Sequence, residues 1–134
     1  MDKIVLSGFA DEISSSLDRQ IQVLKKLGIS HMEIRGVEKK GIDTYTTEEV
    51  KEIKGKLDDQ GIAISSLASP IGKINIKDDF TPHLEHFKHV AELAHVLNTR
   101  YIRMFSFFMP EGEEPDGYKE TVFEQLDQLI RVGK

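Results

Sequence analysis

Cysteine is missing altogether from the 134 residues. Its absence excludes disulfide bonding, thiolate catalysis and Cys-ligated zinc. No run of about 18 apolar residues occurs, so no membrane-spanning helix is expected. The opening Met1-Asp2-Lys3-Ile4-Val5-Leu6 lacks the apolar core and cleavage site of a signal peptide, and a cytoplasmic location is the default expectation. There is no glycine-rich phosphate loop, no Ser-nucleophile elbow and no zinc-protease motif. Positive charge is in deficit too: 18 Lys and Arg against 23 Asp and Glu leave a net charge of −5. Non-specific nucleic-acid binding needs clustered cations to neutralise phosphates, so nucleic acid is not an expected partner. A small basic pocket for a phosphorylated metabolite is compatible with the same balance.

What remains is an ordinary globular composition, 39% hydrophobic and 31% charged, at a length that fits one domain with a real core. The most informative stretch runs from Gly61 to Lys73 (GIAISSLASPIGK). Gly61 suits the left-handed residue that ends a helix. Ile62, Ala63 and Ile64 read as a strand apolar on both faces, as in a covered parallel sheet. Hydroxyls then appear at Ser65, Ser66 and Ser69, and Pro70 and Gly72 end the strand. Folds of the α/β type collect ligands where strands end in this way.

The same grammar repeats along the chain. The expected strands are Lys3 to Phe9, Ile29 to Arg35, one beginning at Ile62, and Arg100 to Phe105. The expected helices carry apolar stripes at Leu17, Ile21, Leu24 and Leu27; at Val50, Ile53 and Leu57; from Leu84 to Leu97; and at Val122, Phe123, Leu126, Leu129 and Ile130. The stretch from Gly36 to Thr46 reads as a long polar loop. Junctions near residues 28, 61 and 98 set a repeat of roughly 33 to 37 residues, the size of a βα unit. Four such units predict a parallel α/β architecture: a small open sheet, or a (βα)4 half of a TIM-type (βα)8 barrel, which normally needs about 250 residues.

Alternation along the strands separates two faces. Met32, Ile34, Ile102 and Met104 should meet the helices, while Glu33, Arg35 and Arg103 point the other way. Glu33 and Arg103 are candidates for a structural ion pair or for substrate contact, since a buried charge needs a partner. Phe9 reads as core packing or as the wall of a sugar-sized pocket. Ser66 and Ser69 read as polyol contacts or as hydroxyls serving loop backbone. Lys73 reads as a solvated lysine or as a hold for a phosphate or carboxylate. His83, His86 and His89 read as a solvated helix face, and Asp11 and Glu12 as residues preceding a helix.

Gly8-Phe9-Ala10-Asp11-Glu12, Leu27-Gly28-Ile29 into Met32-Glu33-Ile34-Arg35, the Gly61–Lys73 stretch, and Tyr101-Ile102-Arg103-Met104-Phe105-Ser106 together resemble the sugar phosphate isomerase/epimerase family. This is the xylose-isomerase-like group of TIM barrels, related in fold to apurinic endonucleases. The resemblance covers the first half of that family's domain and implies a fold completed by a C-terminal half or by a homodimer. It implies an enzyme that takes a sugar or sugar phosphate, uses a divalent metal (Mn, Mg, Co or Zn), and transfers protons next to a carbonyl. The family's metal ligands lie on strands five to eight, so no residue here inherits a catalytic or metal role, and this chain alone is expected to be inactive. The matching substrate-wall positions are Phe9, Glu33, Arg35, Ser66, Ser69, Arg103 and Phe105. A non-catalytic half-barrel assembly module is the alternative reading.

Overall fold

The computed structural model describes residues 3–134. Three helix-to-strand junctions organise it, and each closes in the same way. Ile29 N–H donates to the Leu24 carbonyl at 2.9 Å, Ile62 N–H to Leu57 at 2.9 Å, and Thr99 N–H to Ala94 at 3.1 Å. Each bond passes over a left-handed residue: Gly28 at φ 71°, Gly61 at φ 69°, and Asn98 at φ 55°. This is the Schellman closure, and it accounts for the periodic Gly, Gly, Asn of the sequence.

Helix α1 spans Leu17–Lys26 and buries Leu17, Gln20, Ile21 and Leu24. Helix α2, Thr47–Asp59, opens with a reciprocal capping box between Thr46 and Glu49 and buries Val50, Ile53 and Leu57. Helix α3, Phe80–Val96, is capped by Asp79 and buries Phe87, Val90, Leu93 and Ala94. Helix α4, Lys119–Gly133, is the least buried. Leu129 is buried and Val122 and Leu126 half-buried, but Phe123 and Ile130, expected on the inner stripe, are 55% and 57% exposed. Their stripe is wider than the surface available to cover it.

Strands β1 (His31–Ile34), β4 (Ala63–Ala68) and β5 (Ile102–Arg103) form a parallel sheet in the order β1-β4-β5. Met32, Ile34, Ile64 and Leu67 turn into the core shared with the helices. The opposite face bears Glu33, Ser66 and Arg103, all half-buried. The sheet does not close into a barrel, and the architecture is that of part of a TIM-type fold, as expected.

Two segments differ from the sequence reading. The stretch from Gly36 to Thr46 is not simply a polar loop. It holds a short hairpin of β2 (Gly36–Val37) and β3 (Lys40–Gly41), followed by a 3-10 turn at Ile42–Thr44. Val37, Ile42 and Tyr45 are buried, and Glu38 reaches back to accept the Leu17 N–H at the start of α1 at 2.9 Å. Three apolar side chains spaced irregularly give neither helical nor strand periodicity, so the pattern was invisible.

Lys3 to Phe9, expected as the first strand, is not a ladder strand. It makes one backbone bond to β1, Glu33 N–H to the Gly8 carbonyl at 3.0 Å. Ser7 and Ser65 also share a hydroxyl–hydroxyl bond of 2.6 Å. Ile4, Val5 and Leu6 are 88%, 55% and 66% exposed. Strand register is held by burial of one face, and none of these side chains is buried in the core.

Candidate functional site

The polar groups gather at the carboxyl ends of β1, β4 and β5. Between Met32 and Glu33 the register against β4 slips: Met32 faces Ile64, whereas Glu33 faces Ser66. Ser65 is the extra residue of this bulge. Without it, Ser65 would be the partner of Glu33. With it, the Ser66 hydroxyl donates to the Glu33 carboxylate, loosely, at 3.4 Å, while Ser65 meets Ser7.

Arg35, just beyond β1, lies with its guanidinium 4.3 Å from the centroid of the Phe9 ring. It also donates twice to Asp11, Nε to Oδ2 at 2.8 Å and a terminal nitrogen to Oδ1 at 2.9 Å. Glu12 stands 3.5 Å away. The Asp11 hydrogen bond, more than any other contact, raises the Arg35 pKa above its usual value. Asp11, read from sequence as a residue preceding a helix, is the carboxylate that neutralises Arg35.

The expected Glu33–Arg103 pair does not form. Strand β4 lies between their strands, and neighbouring strands are about 4.8 Å apart, so the two strands are separated by about twice that. Arg103 instead spreads over aromatic rings, 4.6 Å from Phe105 and 5.9 Å from Phe9. Lys73 stands 4.6 Å from the same Phe105 ring. The open face therefore carries a row of alternating cations and rings: Arg35, Phe9, Arg103, Phe105 and Lys73.

Ser69 is fully buried. Its hydroxyl donates to the Arg103 carbonyl at 2.7 Å and accepts from the Ile71 N–H at 3.3 Å. It ties the end of β4 to β5 and so sets where Arg103 starts. Beyond it, residues 71–76 run beside 105–108 as an irregular continuation of the sheet. Phe105 N–H donates to Ile71 at 2.7 Å, Phe107 to Gly72 at 2.9 Å, and Phe108 to Ile74 at 2.8 Å.

Helix α3 joins this arrangement through its histidines, which are not a solvated face. The Gly72 N–H donates to His83 Nε2 at 2.9 Å. His86 Nε2 bonds the Asp43 carboxylate at 2.9 Å, and His89 Nε2 donates to the Tyr45 carbonyl at 2.7 Å. A spacing of three keeps the rings along one helix edge, where they seam α3 to two loops. Among the described residues no group of three or more His, Asp or Glu is arranged to hold a metal ion, so the donors present do not fit the divalent ion that the family resemblance implies.

Because His83 accepts the Gly72 N–H through Nε2, it must stay neutral there. Burial, followed by the nearby His86, lowers its pKa below 6.5. The unfolded chain therefore takes up this proton first as pH falls. The contribution to stability is present above about pH 6.5 and is lost below it, down through the folded-state pKa. The melting temperature should fall between about pH 7.5 and pH 5.5, and His83→Gln, which keeps an acceptor without the titration, should shrink that fall. An unchanged pH dependence in the variant would rule out His83 as its source.

A parallel sheet, helices along one face, and polar side chains at the carboxyl strand ends of the other define part of a TIM-type (βα)8-barrel fold. The family model described as xylose isomerase-like TIM barrel matches residues 21–134, and the chain belongs to that family.

Solved structures agree on the fold. The chain is similar to the probable 3-DHS dehydratase AsbF of Bacillus anthracis, with a TM-score of 0.75 at 16% identity, covering 97% of this chain and 48% of that one. A sugar phosphate isomerase/epimerase from Parabacteroides distasonis gives 0.67 at 19% identity, covering 99% and 48%. A D-psicose 3-epimerase solved in the presence of D-fructose gives 0.65 at 16% identity, covering 95% and 49%. The chain thus spans about half the length of these structures. No curated protein matches it by sequence. Among the described residues no helix is long and apolar enough to cross a membrane.

Proposed function

We propose that these 134 residues form a single half-barrel domain of four βα units, the first of which keeps its N-terminal segment beside the sheet by one backbone bond. This domain is the substrate-gripping half of a sugar or sugar phosphate isomerase or epimerase. The observation that carries this reading is the row of cations and rings at the carboxyl strand ends, beside the Glu33–Ser66 pair. Phe9 and Phe105 are the apolar supports between the cations, and Glu33, Ser66 and Arg103 offer hydrogen bonds to the hydroxyls of a sugar. Arg35, locked by Asp11, stiffens the wall behind Phe9, and Ser69 sets the position of Arg103.

Isomerisation or epimerisation moves a proton next to a carbonyl, and in the intact enzyme a divalent ion would polarise that carbonyl. The groups that hold such an ion lie outside these residues in our reading, so the chain alone binds without turning over. Incubation with ketoses and Mg²⁺ in D₂O tests turnover by NMR, and the same titration in H₂O tests binding through the protein resonances. The expected result is shifts at Phe9, Glu33 and Ser66 with no exchange of the proton next to the carbonyl. Exchange by the chain alone would overturn the inactivity, and silent resonances would overturn the binding. A second reading, an assembly module that forms a homodimer, is favoured by the exposure of Ile4, Val5 and Leu6. A stable dimer by sedimentation, with no ketose shifts, would select it.

A further inference from the structure

The three cations of the open face are not equivalent. Arg35 is neutralised by a two-pronged bond to Asp11 and a weaker approach of Glu12. Arg103 and Lys73 have no carboxylate within 4.0 Å among the described residues. The Arg103 Nε–H is buried and has no hydrogen-bond partner among the described residues. A buried donor of this kind costs free energy unless something accepts from it. Both cations stand 4.6 Å from the centroid of one ring, Phe105.

That ring is held firmly. The Phe105 N–H donates to Ile71, and its carbonyl lies where a Gly72 side chain would be, 1.7 Å from an ideal Cβ. Lys73 follows Gly72 directly, and Arg103 is anchored by Ser69. Two unpaired cations on a fixed aromatic post form a preorganised positive corner on a protein whose net charge is −5. Such a corner attracts and orients an anion, and the acidic surroundings make it the more distinct.

We propose that Lys73 and Arg103, flanking Phe105, form an anion subsite, and that the physiological ligand is a polyol bearing a phosphate or carboxylate at one end. This rests on the sugar-binding reading above and narrows its substrate class. The anionic group would lie between the Lys73 ammonium and the Arg103 fork, which pairs naturally with two oxygens. The hydroxylated remainder would extend along the open face toward Ser66 and Glu33, where a carboxylate would repel a second anionic group. Lys73 supplies charge, and Arg103 supplies charge and direction.

Titration of the chain with inorganic phosphate, a sugar carboxylate and a neutral ketose, followed by amide NMR, tests the subsite. Millimolar phosphate should shift the amides of Gly72, Lys73, Arg103 and Phe105. Lys73→Gln, a change at an exposed position, should weaken binding about tenfold, the loss of one charge-assisted contact. Arg103→Lys, which keeps the charge and loses the fork, should weaken it too, and raised salt should oppose binding. A response to the sugar carboxylate but not to phosphate would support the subsite and identify the anion as a carboxylate. No response to either anion at millimolar concentration, or binding indifferent to Lys73→Gln and Arg103→Lys, overturns it. The neutral ketose reports separately through Phe9, Glu33 and Ser66, so the sugar reading and the anion subsite can fail independently.

Discussion

Gly72→Ala should cost the fold more than about 4 kcal/mol, a large share of the 5–15 kcal/mol typical of a domain. The added Cβ would stand 1.7 Å from the Phe105 carbonyl oxygen and 2.3 Å from its carbon, and the φ of +89° disfavours any L side chain. Because the obstacle is backbone, no rotamer relieves it. Residues 71–76 would have to part from 105–108, which breaks the bonds from Phe105, Phe107 and Phe108 to Ile71, Gly72 and Ile74. The His83 contact goes with them. Gly55, inside α2, has nothing within 4 Å of an ideal Cβ. Gly55→Ala should therefore stabilise by about 0.5–1 kcal/mol through helix propensity. Urea midpoints of the two variants should move in opposite directions, and a wild-type midpoint for Gly72→Ala would refute the close approach.

Leu67→Ala should cost about 2–5 kcal/mol. Leu67 is 0% exposed and pairs with Ile34 on one side and Ile102 on the other, at the centre of the sheet. Its removal leaves a cavity bounded by strands and helices that cannot easily collapse. Ser66→Ala, one residue away on the open face, loses only the long 3.4 Å bond to Glu33 and should cost less than about 1 kcal/mol. Chemical denaturation of the pair reads out which face of β4 carries the core. Equal losses would mean that both faces are packed, which is the arrangement of a closed doubly covered sheet and not of an open half-barrel.

Much of this was legible because it is local. Gly28, Gly61 and Asn98 mark three helix ends, and each rests on bonds spanning a few residues. Alternation separated Met32 and Ile34 from Glu33 and Arg35 correctly, since strand geometry assigns faces with a period of two. Partners distant in the chain were not legible. Asp11 meets Arg35 across 24 positions, and His83, His86 and His89 find Gly72, Asp43 and Tyr45 through packing of α3 against loops. The Ser65 bulge defeats alternation by inserting a residue that no pattern of side chains announces.

Sequence alone determined the βα rhythm, the helix ends, the apolar stripes of α2 and α3 and the family resemblance, because these depend on periodicity and short-range hydrogen bonding. Of the expected α1 stripe, Leu17, Ile21 and Leu24 are buried, but Leu27, past the end of the helix, is 63% exposed. Only the tertiary structure decided which cation is neutralised and which stands unpaired. Arg35, Arg103 and Lys73 are alike as charged residues in the sequence. They differ once the fold brings Asp11 to one of them and the ring of Phe105 to the other two, because a charge takes its character from what lies within a few ångströms.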